Sequence, residues 1–165
     1  MQFKVNEYIF YGTDGICRID DICENPFEGA PAGVCYYVMH TISEPRQTIW
    51  NPVLNDRIPM RTLMREEDIS ALLREIKTLA PFSAPSTKLL REEYLGAIKG
   101  GIPTEWGRVL ITYLSRSAVN DGTVRVTDAE HGFFESAKAL LSAEIALVCG
   151  IERQEADALI DSHVK

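Results

Sequence analysis

The spacing of apolar residues changes period near residue 64, and this limits the folds open to the chain more than any other feature. Before it, β-branched and aromatic residues form short alternating clusters separated by Gly, Pro, Asn and Asp, the pattern of brief strands. After it, apolar residues recur at i, i+3, i+4 and i+7, the pattern of amphipathic helices. A chain of 165 residues divided in this way is expected to be α+β, with a β domain at 1–64 and a helical domain at 66–165.

The first half predicts five strands. Tyr8 to Tyr11 is one, and Gly12-Thr13-Asp14-Gly15 after it reads as a hairpin turn rather than a phosphate cradle. Ile16 to about Glu24 is the next, with Cys17 and Ile19 on one face and Arg18 and Asp20 on the other. Asn25 to Gly33 is rich in breakers and predicts a loop. Val34 to His40 is apolar on both faces, as a central strand should be. Thr48 to Asn51 is followed by Pro52, which ends a strand or puts it at an edge, and Ile58 to Leu63 completes the set. Five short strands are too few for a sandwich of usual size, but they can curl into a small SH3-like or Tudor-like barrel.

The second half predicts a bundle of four or five helices. Ile69, Leu72, Leu73, Ile76 and Leu79 stripe the first, with Glu66, Glu67 and Asp68 at its positive end. Leu90, Tyr94 and Ile98 stripe the second, which Gly100-Gly101 stops. Pro103 opens a third, carrying Trp106, Val109, Leu110, Tyr113 and Leu114 on one face. Thr127 and Glu130 have the spacing of a capping box before the longest helix, which Gly150 terminates, and a last helix starts near Glu152.

Composition restricts function. Seventeen basic against 24 acidic side chains, a net charge of −7, argue against a protein that grips nucleic acid by its overall charge. No apolar run approaches the ~20 residues of a membrane helix. The N-terminal Met1-Gln2-Phe3-Lys4-Val5 does not resemble a secretory signal, so a cytoplasmic location is expected. Cys17, Cys23, Cys35 and Cys149 lack metal-ligand spacing and read as inert core thiols, and His40, His131 and His163 are scattered. With no P-loop, GxSxG elbow or GxGxxG, the expectation is a non-enzyme without metal or cofactor. A small thiol- or histidine-dependent enzyme, its site assembled in space, is the alternative.

Two stretches suggest binding. Trp50 lies in the strand that Pro52 places at an edge, where free backbone groups can pair with a partner's sheet; filling the barrel core is the other reading. From Lys88 to Arg116 there are five basic and three acidic side chains, a local island that is either a solvated helix face or a phosphate-facing one.

The run from Phe3 to Ile19, with Val5, Tyr11, Gly15 and Ile16, resembles the opening of CarD/CdnL-like proteins, whose pattern is roughly F-x-V-G-D-x-V-V-Y-x-x-x-G-V-x-x-I. Asn6-Glu7 stands where the family has Gly-Asp. Tyr36-Tyr37-Val38, Asn51-Pro52-Val53 and Met60-Arg61 are similar to later family motifs, as are Tyr94 with Ile98, Glu105-Trp106 with Val109, and Ala137 to Glu144 before Gly150-Ile151.

The resemblance implies a bacterial transcription regulator whose Tudor-like domain docks on the RNA polymerase β subunit, partly by strand pairing. Its helical domain would approach promoter DNA, where the family's tryptophan wedges into the minor groove and stabilises the open complex. Under this resemblance the candidates for polymerase contact are Thr48, Trp50 and Asn25, the last two standing where relatives often have arginine. For DNA they are Lys88, Arg91, Lys99 and Arg108, with Leu90 at the place of the wedge tryptophan. Trp106 falls on an apolar stripe and reads as core. The acidic balance fits a regulator delivered to DNA by polymerase, since tethering raises the effective DNA concentration. A polymerase adaptor without direct DNA action is the nearest alternative.

Overall fold

The structure, a computed structural model, describes residues 2–12, 14–119 and 123–165. Thr13, in the turn expected at Gly12 to Gly15, lies outside them. The chain divides into two compact units, Met1–Leu63 and Met64–Lys165.

The first unit is an antiparallel sheet of β1 (Tyr8–Tyr11), β2 (Gly15–Glu24), β3 (Cys35–Thr41), β4 (Thr48–Pro52) and β5 (Met60–Thr62), in the order β4-β3-β2-β1-β5. Alternation decides its faces. Ile9, Tyr11, Cys17, Ile19, Tyr37 and Met39 point to one side and form the core, closed by Phe3. Asn51, also on that side, is 1% exposed and receives hydrogen bonds from Tyr11 Oη at 3.4 Å and Asn55 Nδ2 at 2.8 Å. The expected closed barrel is corrected. β4 and β5 are the two edges and do not pair with each other, so the sheet is open. Closure needs a ladder between the edges, and β5 offers only three residues for one.

The second unit contains α1 (Glu66–Glu75), a 3-10 turn (Ile76–Thr78), α2 (Thr87–Gly100), α3 (Pro103–Ser117), α4 (Asp128–Cys149) and α5 (Arg153–Val164). Local chemistry sets the ends. Ser86 Oγ accepts a hydrogen bond from the Leu89 N–H, and Thr127 and Glu130 form a reciprocal capping box. Gly150 takes φ 63°, the left-handed geometry that closes α4. Trp106, Leu110, Tyr94, Leu141, Ile145 and Ile160 are fully buried and make the core. Two carboxylates are buried with them. Glu144 accepts the Met64 N–H at 2.7 Å, and Glu130 pairs with Arg116 Nε at 2.7 Å.

The cysteine expectation is corrected in part. Cys17 is fully buried, but Cys23, Cys35 and Cys149 are only half-buried, because they sit at strand ends or at a helix end rather than mid-core.

Candidate interaction surfaces

On β4 the geometry favours an outward Trp50. The Val53 N–H donates to the Cys35 carbonyl at 2.8 Å, and the register continues through Asn51 opposite Tyr37 and Ile49 opposite Met39. Hydrogen-bonded pairs alternate along an antiparallel ladder, so Thr48 and Trp50 direct their backbone N–H and C=O groups away from β3. The Pro52 carbonyl is occupied by the Asn55 N–H at 2.9 Å. Thr48 and Trp50 thus hold the pairing-competent groups of this edge.

Their side chains share the face opposite the core. Trp50 is 45% exposed, which removes the reading that it fills the core. Its ring lies 5.4 Å from that of Phe27, itself 5.6 Å from Tyr36. Phe27 belongs to the loop after β2, which Asn25 opens with φ 56°. Asn25 is exposed and reverses the chain so that Phe27 returns over the sheet. The result is a partly exposed aromatic patch beside open backbone groups, the combination used in strand addition. Phe27 has no periodic neighbour, and its position in a loop hid it from sequence reasoning.

Next to this patch a polar chain crosses three strands. The β2–β3 register shifts between Ile19 and Asp21, and Asp20, between them, bonds His40 Nδ1 through its carboxylate and accepts from Arg18 Nε at 2.8 Å. His40 Nε2 lies 3.2 Å from Thr48 Oγ1. A hydroxyl, an imidazole and a carboxylate in this order are the parts of a proton relay, and a histidine-dependent reaction would fall here. Arg18 also holds the carboxylate, and in this arrangement the chain orients the Thr48 side chain on the edge strand.

Burial raises the Asp20 pKa, but the hydrogen bonds from His40 and Arg18 outweigh it and leave the carboxyl below its ordinary value. A folded pKa below the unfolded one stabilises the fold above the unfolded value, and this is lost as pH falls through the folded value. Asp20→Asn is therefore expected to lower the thermal midpoint at neutral pH, with the two proteins converging in acid. Melts from neutral pH downward check this; a gap that persists in acid contradicts it.

Three of the thiols, Cys17, Cys23 and Cys149, are poorly disposed to act as nucleophiles. Burial, with Asp14 adding to it, pushes Cys17 up to about 12, and burial also raises Cys23 and Cys149. Among the described residues no group of three or more His, Cys, Asp or Glu could hold a metal ion. Among them also, no helix is long and apolar enough to cross a membrane.

In the helical unit, α2 gathers three of the expected phosphate contacts. Lys88, Arg91 and Lys99 are exposed and lie on one face with Leu95, at the i, i+3, i+7, i+11 spacing that keeps side chains together on a helix. None of the three cations is in an ion pair among the described residues. Leu95 is 40% exposed at the centre of this stripe.

Two expected residues are placed otherwise. Leu90 is 4% exposed, so in this conformation it cannot present a wedge; with Tyr94 and Ala97 it forms the face that α2 buries. Arg108 is committed to its own fold. It pairs with Glu105 at 3.0 Å, donates to the Ala80 carbonyl at 2.9 Å and stacks 4.0 Å from the Phe82 ring, fastening the segment before α2 to α3. A phosphate contact by its guanidinium would compete with that clamp.

Compared with family models and with curated proteins, the chain gives no match to either.

Proposed function

We propose that this chain is a CarD-like regulator that binds the RNA polymerase β subunit through the β4 edge and modulates the stability of the promoter open complex. The observation that carries the reading is the coincidence on β4 of outward backbone groups at Thr48 and Trp50 with the exposed Trp50–Phe27 pair. In this reading the open five-stranded sheet is a Tudor-like docking domain. The face of α2 bearing Lys88, Arg91 and Lys99 lies along promoter DNA, held there by polymerase rather than by its own charge.

Phosphate contacts release counterions, so their contribution falls with salt. Lys88→Ala is expected to shorten the lifetime of promoter open complexes formed with saturating protein, more at low salt than at high. Open-complex decay at two salt concentrations tests it, and an equal effect at both contradicts a phosphate contact.

A second reading is a polymerase adaptor that does not act on DNA. The burial of Leu90 favours it, because the position matched to the family's wedge tryptophan has no exposed side chain to insert. An unchanged open-complex lifetime with saturating protein, alongside intact polymerase binding, would select the adaptor.

A further inference from the structure

The flank of α2 next to its basic stripe differs from it in chemistry. Leu89, Gly96 and Gly100 lie on it, and with Ala97 and Ile102 they line a groove whose remaining residues are Glu92, Glu93 and Glu105. At about 100° per residue the centre of this flank is turned roughly a third of the way round from that of Lys88, Arg91 and Lys99, with Glu92, four residues after Lys88, at the margin between the two and Glu93 on the far side.

The groove is apolar at its walls and acidic at its rim. Leu89 is 43% exposed and Ile102 51%, large apolar side chains left to solvent at either end. A Cβ built at Gly96 or at Gly100 meets nothing within 4 Å, so the glycines leave room along the floor. Glu105 is paired with Arg108, but Glu92 and Glu93 are exposed and join no ion pair among the described residues.

We propose that this groove docks a partner polypeptide segment that inserts an apolar side chain between Leu89 and Ile102 and sets Lys or Arg side chains against Glu92 and Glu93. Charge complementarity chooses this occupant. A nucleic-acid backbone would meet repulsion at the rim, and an acidic or neutral apolar segment would leave the two carboxylates without a partner. The groove is independent of the polymerase and DNA contacts proposed above, so either can fail without the other.

The test uses the isotopically labelled full chain and two helical peptides that share their leucines, one flanked by lysine and the other by glutamate. The lysine peptide is expected to bind and to shift the amide signals of Leu89, Gly96, Ala97, Gly100 and Ile102, while the glutamate peptide does not. Gly96→Leu fills the floor, and it should weaken binding by at least about tenfold without loss of thermal stability, since replacing glycine inside a helix is favourable. Glu92→Gln with Glu93→Gln should weaken binding and flatten its salt dependence. Failure of the lysine peptide to bind, equal binding of both peptides, shifts centred elsewhere, or unchanged binding by Gly96→Leu would each overturn the proposal. Concentration-dependent self-association that uses the same signals would overturn it too, in favour of a second copy of the chain as occupant.

Discussion

Trp50→Ala is expected to weaken binding of the full chain to an isolated polymerase β fragment by about 30-fold, the effect of removing an aromatic anchor worth about 2 kcal/mol. The fold should survive the change. Trp50 is 45% exposed, and its loss removes one ring contact, with Phe27, worth about 1 kcal/mol. Because the N–H and C=O of residue 50 remain, strand pairing is kept and part of the affinity should persist. Trp50→Phe, which keeps a ring against Phe27, is expected to recover most of the loss. Titration of the fragment with the three proteins, each checked by thermal melting, measures this. Equal affinity in all three would place Trp50 outside the interface, and a matching fall in melting midpoint would make its role structural.

The largest effect on stability is expected at the other tryptophan. Trp106 is 0% exposed and stands on the buried face of α3 with Val109 and Leu110. Trp106→Ala leaves a cavity and should cost about 3–5 kcal/mol, enough to threaten a domain of ordinary stability. Chemical denaturation with the tryptophan and alanine proteins gives the number. A variant that stays as stable as the wild type but shortens open-complex lifetime would show Trp106 acting on DNA instead of in the core.

The strands and helices were legible because each is governed by neighbours in sequence. Pro52 ends β4, the Thr127–Glu130 pair starts α4, and Gly150 stops it, each through a backbone group a few residues away. Closure of the sheet was not legible, since it depends on whether two edges far apart in sequence meet. Leu90 belonged both to an apolar stripe and to the place of a family wedge. The stripe prevailed because Leu90, Tyr94 and Ala97 fall on one side of α2 and are buried together. Counting charges could not separate Arg108 from Lys88, because the carbonyl and ring that engage Arg108 come from residues 80–82.

The candidate site was read unevenly for the same reason. Alternation placed Arg18 and Asp20 on one face of β2, yet the joining of Asp20 to His40 and of His40 to Thr48 requires three strands in register. Pro52 pointed to an edge, and only the ladder told which residues turn their backbone outward. The patch beside them needed Phe27, which a left-handed Asn25 returns over the sheet. Periodicity has no means of placing such a loop residue.

Direct binding between the purified full chain and the purified RNA polymerase β subunit decides whether the β4 edge is a polymerase-docking surface. A saturable one-to-one complex is expected, displaced by a peptide that copies the partner strand. Absence of a complex at about 100 μM, beyond the range of most specific weak interfaces, would contradict it.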